Sequence, residues 1–527
     1  MKWFALIAAL TLATALPAQT LSPGPQVLSF YSPLDDTDQP YAIYIPDGYN
    51  PARPWPLVVS LHGAFSNHRV NLRRVFGQGN RPGESDAEAM RYFPALPSVP
   101  FLVASPLARG TMGYRGVAES DVWAMLADVK KRFNVDEERT YLTGLSMGGG
   151  GTLELGLKRP DLWAAIVPLC PVPPAFDEHH AGNALNVPVH FHHGVDDKVV
   201  PVTVSRHWSK LMREAGVQVE VKEYPGVQHN VWDPAYQDAR LFKWLGQHRR
   251  QRFPERVLYA SADPFHSTAY WVRFDKFEPG STARIDARFT APNRVEVRAW
   301  NLPAFSLHLD GHPRYNPKQE FVIVINGEER RFAAGAALQI GEPAPAPPLV
   351  RHVTSRRHIY VYGTADNPPP PERARRRDLA AQAADWSGGG RRLFYLPRVV
   401  SDREVRPSDL EGNLILFGNA KTNRLVAGLG AQAPVALRDG HDATHGLIYA
   451  VPGQKPGTVT VVHQGLPWWQ GGERTQRGGY NFLPLQHRIL MSIDQFLLFR
   501  GAVSDVLAEG FLDQKRAALP TDIVEVQ

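Results

Sequence analysis

The residues 144–148, Gly-Leu-Ser-Met-Gly, set one serine between two glycines, behind an apolar run and ahead of a helical pattern. The spacing fits G-x-S-x-G, a sharp strand-to-helix turn that lifts a serine hydroxyl above a sheet. Side chains two positions either way would clash with neighbouring backbone, so glycine is needed there. Ser146 then lies at a helix N-terminus, whose dipole favours developing negative charge. A serine hydroxyl is a weak nucleophile. It needs a base, and the base needs a carboxylate to orient it. "HHGVDDKVVP" (192–201) offers two acids, Asp196 and Asp197, just after an expected strand, and "YPGVQHNVW" (224–232) offers His229 beyond the next one. "LHGAFSN" (61–67) ends another strand, so the backbone amide of Ala64, with that of Met147, could hold the oxygen of a tetrahedral intermediate. Serine, acid and histidine follow in the order this chemistry uses on an open α/β sheet, and all fall at strand C-terminal ends, where such sheets bind ligands.

Those positions require a scaffold, and residues 26–248 supply its pattern. Apolar runs at 42–46, 56–62, 101–106, 140–144, 164–169, 187–193 and 219–224 read as strands, several of them apolar on both faces. Segments 120–133, 148–158, 203–215 and 236–248 read as helices between them. This alternation predicts an α/β fold with a doubly wound, mostly parallel sheet. Residues 65–100 form a long insert that fits neither pattern.

Beyond Arg256 the period shortens. Six alternating runs up to Phe332, separated by turn signals such as "EPGS" and "NGEE", predict a small β-sandwich at 255–340. "GEPAPAPPL" (341–349) reads as an extended linker, so 341–350 joins the parts. A mixed α/β domain is expected at 351–502, with buried strands "HIYVYGT" and "NLILFGN" and a closing helix over Leu485–Phe499. Residues 503–527 read as a C-terminal tail. The change of pattern at 256 implies that 19–250 is a domain able to carry the chemistry alone.

With 527 residues the chain is too long for one core. Its net charge of +6 is spread out, apart from arginine runs at 249–252 and 373–377. Such runs are solvated faces, which argues against nucleic acid as a partner. Lys2, the apolar run Trp3–Leu16 and the small residue Ala18 predict a signal peptide over 1–18, hence a secreted or periplasmic protein with no membrane segment after its removal. Cys170 is the sole cysteine, so no intramolecular disulfide can form, and it reads as a core residue. His190 and His192 share a strand face, but acids to complete a metal site are scarce, and neither metal nor cofactor is expected. Trp271, Trp300 and Trp468-Trp469 read mostly as core, with stacking on sugar rings the rarer use.

Residues 40–250 resemble the α/β-hydrolase serine esterases related to polyhydroxybutyrate depolymerases, feruloyl and acetylxylan esterases, and the prolyl-oligopeptidase-like hydrolases. The resemblance rests on "LHGAFSN", "GYRGVAESDVWAMLADVKKRFNVDEERTYLTGLSMGG", "HHGVDDKVVP" and "YPGVQHNVW". It implies Ser146 as nucleophile and His229 as base. In the pattern H-G-x-x-D-x-x-V-P it puts the acid on Asp197, with Asp196 as the fallback. It implies ester cleavage through an acyl-enzyme, on small molecules or on esters attached to polysaccharide or polyester. A prolyl-oligopeptidase-like peptidase is the rival within the class, although that family ordinarily places a propeller before its hydrolase domain. A non-catalytic cell-surface binding protein is the rival outside it. Oligomeric state is not legible.

Overall fold

A computed structural model of the protein describes residues 21–387, 394–474 and 482–526. The expected signal peptide at 1–18 and part of the segment after Trp469 lie outside the described residues. The first domain is built on an eight-stranded sheet: β1 (Gly24–Ser32), β2 (Thr37–Ile45), β3 (Trp55–Leu61), β4 (Leu102–Pro106), β5 (Val135–Leu145), β6 (Ala165–Leu169), β7 (Val189–Gly194) and β8 (Val219–Tyr224). Their spatial order is β1-β2-β4-β3-β5-β6-β7-β8. β2 runs antiparallel to both β1 and β4 near one edge, and β3 to β8 are parallel to one another. β3 and β6 are buried at every position, as central strands covered on both faces must be. β8, at the far edge, is nowhere fully buried.

Helices α1 (His68–Val75), α2 (Asp86–Ala89), α3 (Val117–Arg132), α4 (Met147–Lys158), α5 (Thr203–Glu214), α6 (Trp232–Tyr236) and α7 (Arg240–Leu245) complete this domain. The insert at 65–100 is therefore partly helical. Asn67 caps α1 by accepting from the amides of Arg69 and Val70, and Ser85 and Glu88 form a capping box on α2. The single helix expected over 236–248 is instead α6 and α7, broken where Asp238 and Ala239 take left-handed backbone with φ of 54°. Asp is tolerated there, but the pair cannot continue a right-handed helix.

The second unit is a sandwich of a four-stranded and a five-stranded sheet around its own core, which includes Trp271, Phe289 and Phe321. One pair, Arg294–Trp300 with Phe321–Ile325, is parallel. The third unit holds a seven-stranded mixed sheet with the helix Pro370–Ala383 on it. Two expectations fail here. Residues 485–499 are not one helix: Leu485–Leu490 is helical, and Phe496–Arg500 is a strand inside the sheet. A short run apolar on both sides fits a buried strand as well as a buried helix, and only the tertiary pairing decides. Residues 503–527 are no tail. Val506–Gly510 adds an edge strand beside Phe496–Arg500, and Val524–Val526 pairs with Val435–Leu437, with Leu512, Leu519 and Val524 buried.

The first domain is also not self-contained. Trp386, Tyr395 and Leu483 of the third unit belong to the same apolar cluster as Leu57, Met112, Tyr114 and Leu142 of the first. The Tyr395 hydroxyl reaches the Leu34 carbonyl at 3.4 Å, and its ring lies 5.4 Å from the Arg109 guanidinium carbon. Apolar surface that a lone domain would show to water is closed by side chains from far along the chain, so the boundary at 250 is a change of pattern and not the limit of a core. Among the described residues, no helix is long and apolar enough to cross a membrane.

Candidate active site

β5 ends at Leu145 and α4 begins at Met147, leaving Ser146 alone in the turn with φ 56° and ψ −116°. A non-glycine residue there is strained and persists only where the surroundings over-determine it. They do. The Ser146 amide donates to Leu169 O at 2.9 Å, and its carbonyl accepts from Gly150 N at 3.0 Å. A Cβ on Gly144 would lie 2.3 Å from the Gly148 carbonyl oxygen, and one on Gly148 only 2.1 Å from that of Leu61. The two glycines let helix, strand and β3 meet at the elbow.

Ser146 Oγ donates to His229 Nε2 at 2.9 Å, and His229 Nδ1 donates to Asp197 Oδ2 at 2.7 Å. The structure thus brings together three of the residues singled out from the sequence, drawn from the ends of β5, β7 and β8. Asp197 is buried, and its other oxygen accepts from the amides of Val199 and Val200 at 2.8 and 2.9 Å. Those bonds turn its carboxylate inward. Asp196 is exposed and meets the site only through its backbone amide, bound to Val227 O. Ala64 follows β3 in a loop against the elbow: a Cβ on Gly63 would lie 3.6 Å from Ser146 Cβ. The Met147 amide is the first of α4, and first-turn amides have no acceptor within their helix.

Two further side chains, His193 and Trp232, adjoin the site. His193 donates from Nε2 to Val200 O at 2.9 Å and accepts at Nδ1 from Ser205 Oγ at 2.7 Å, so it props the turn that carries Asp197. Burial holds His193 below the ordinary histidine range and keeps it neutral. The Trp232 ring stands edge-on to His229 at 5.6 Å. The partners of His193 lie seven and twelve residues on, past the end of β7, where no strand or helix period links them.

Cys170 Sγ, Asp197 and His229 have potential ligand atoms within 4.8 Å of one another. Asp197 and His229 already bond each other, and burial pushes the Cys170 thiol well up, which keeps it protonated and a poor metal ligand. His192 bonds Tyr224 OH through Nδ1 at 2.9 Å and its ring centre lies 4.2 Å from that of His190. Burial lowers both of these histidines. Trp271 and Trp468 are core, whereas Trp300 is exposed with Arg284 over its face.

Residues 122–243 match the phospholipase/carboxylesterase family. Two curated relatives come from Arabidopsis thaliana. Carboxylesterase SOBER1 is 27% identical over 150 residues, covering 28% of this chain and 64% of the relative. A probable carboxylesterase SOBER1-like is 27% identical over 155 residues, covering 29% and 57%. The chain therefore spans less than two thirds of the length of either relative. Among solved structures, a thermostable esterase is 29% identical with a TM-score of 0.35, covering 43% of this chain and 63% of that one. A CE1 ferulic acid esterase from Anaeromyces mucronatus is 16% identical with a TM-score of 0.34, covering 44% and 92%. The eight-stranded sheet and the elbow give the first domain an α/β-hydrolase fold, and its residues 122–243 resemble the phospholipase/carboxylesterase family.

Proposed function

We propose that the protein is an exported serine hydrolase that cleaves carboxylic esters. Ser146 attacks the ester carbonyl while His229 takes its proton. Asp197 orients the imidazole and stabilises its cation. The Ala64 and Met147 amides stabilise the oxyanion. His229 returns the proton to the departing alcohol, and water activated by the same histidine resolves the acyl-enzyme. The single observation that supports this reading most is the pair of bonds linking Ser146 Oγ, His229 and Asp197, at 2.9 and 2.7 Å. Ester over amide substrates is supported by the similarity to two carboxylesterases. The leader pattern at 1–18 supports export.

The test is a panel of p-nitrophenyl esters, feruloyl and acetylated sugars and peptide amides. Ser146→Ala should lose roughly four orders of magnitude or more on every ester while keeping the wild-type melting curve. Retention of a tenth of the activity would refute the assignment. Asp197→Asn should cost far more than Asp196→Asn, and the opposite ranking would move the acid by one residue.

A further inference from the structure

The loop that carries Ala64 is held from outside. The His62 carbonyl accepts from Tyr114 OH at 3.0 Å, and His62 Nε2 lies 2.8 Å from Leu107 O. Three residues on, the Phe65 amide donates to Thr111 Oγ1 at 2.8 Å. The peptide that bears the Ala64 amide is thus strung between two anchors, and both belong to the segment 107–116 that follows β4. Phe65 takes left-handed backbone with φ 62°, an uncommon state for a bulky residue, although its side chain is 59% exposed. The hydroxyl of Thr111, itself buried, receives the Phe65 amide that this conformation turns toward it.

The segment 107–116 is in turn fixed by the third unit. Ala108 and Arg109 are both left-handed, with φ of 45° and 60°. The buried Arg109 side chain is tied to Asp121, Asp35 and Ser32. Arg109 and Phe394 exchange two hydrogen bonds of 3.1 Å, carbonyl accepting from amide and guanidinium donating to carbonyl. Gly116 lies against Thr354 and Met491. A rigid platform therefore stands behind Thr111, and through Thr111 behind the Ala64 loop.

We propose that Thr111 is a positioning residue for the oxyanion-binding loop: by taking the Phe65 amide it sets the Ala64 amide against Ser146. This rests on the esterase reading above. An oxyanion donor acts only on the charge that develops in the transition state, and a small misplacement forfeits it. Losing the Thr111 acceptor should lower kcat and leave KM nearly unchanged.

The experiment uses the full chain with p-nitrophenyl acetate, comparing Thr111→Val, Thr111→Ala, Thr111→Ser and Ser146→Ala. Expected is a fall in kcat of about tenfold or more for the valine and alanine variants, with KM within about twofold, and recovery to within about threefold by serine. Serine and alanine differ by the hydroxyl alone, so their ratio decides the matter even if the valine variant does not fold. Wild-type kcat in Thr111→Ala, or an equal loss in Thr111→Ser, would overturn the proposal with the esterase reading intact. Activity persisting in Ser146→Ala would overturn that reading itself, and this proposal with it.

Discussion

The two later units grip the hydrolase domain in opposite ways. The sandwich does so largely through polar groups. Asn183 brackets Ala260 with bonds of 2.7 and 2.9 Å, Asn186 donates to Arg256 O, and Tyr259 OH donates to Lys158 O. At their centre His266 Nε2 meets Glu119 Oε1 at 2.7 Å, and Lys158 Nζ meets Glu119 Oε2 at 2.7 Å. Asp263 links His266 onward to His352 of the third unit. The third unit itself inserts Trp386, Tyr395 and Leu483 into the hydrolase core. A polar junction depends on pH and is strong only while every member is paired. An apolar one depends on shape, and opening it costs the whole cavity.

The largest effect should come from breaking the apolar junction. Residues 19–250 expressed alone should not give a cooperative urea transition, and Tyr395→Ala in the full chain should lose about 3–5 kcal/mol. An active, cooperatively folding fragment would reduce the third unit to an accessory and erase the contrast.

A smaller effect should follow from titrating the polar junction. Burial opposes a charge on His266, but Glu119 and Asp263 outweigh it and raise its pKa from 6.5 to about 9. Burial likewise opposes the Glu119 carboxylate, and Lys158 and His266 outweigh it, lowering its pKa to about 2. A raised histidine gives its full stability below the unfolded value near 6.5 and loses it as pH climbs through 9. A depressed glutamate gives its own above about 4.5 and loses it as pH falls through 2. Stability measured by urea at a series of pH values should therefore decline between pH 6.5 and 9, and His266→Gln should flatten that decline. An unchanged slope in the variant would mean that His266 does not couple the junction to pH.

The smallest effect sharpens the rule. Arg357 of the third unit pairs with Asp36 at 2.7 Å, but Asp36 is exposed and Arg357 only half-buried. Arg357→Ala should change stability by less than about 1 kcal/mol. A loss as large as that from Tyr395→Ala would show that charge, not shape, holds this unit.

The site was legible in the sequence because its chemistry is compressed into short motifs whose spacing is fixed by the strand ends that carry them. The choice between Asp196 and Asp197 came from the family pattern. Neighbouring side chains in a turn point apart, and the bond from His229 to Asp197, with those from Val199 and Val200, shows which one faces the imidazole. The sandwich announced itself by its short alternating period. The third unit was read less well. Phe496–Arg500 lies buried beside two neighbours, where no face is polar and no period survives. The shared core was not legible at all, since Tyr395 and Leu483 meet residues hundreds of positions away and carry no local mark of it. Thr111 escaped notice for the same reason: its partner is an amide, and every residue but proline has one.

The placement of Leu483 and Tyr395 in the first core also sets an order of events during synthesis. Ser146, Asp197, His229 and all eight strands of the first sheet have been synthesised by residue 245, yet the side chains that close their core come much later. At ~5–20 residues per second that interval is on the order of tens of seconds. Throughout it, Met112, Tyr114 and the loop behind the oxyanion site lack the surface they are shaped to meet. The nascent first domain is therefore unfinished and exposes apolar area to any chaperone nearby. The surroundings of Ser146, Asp197 and His229 are completed last, by a part of the chain that contributes none of the three.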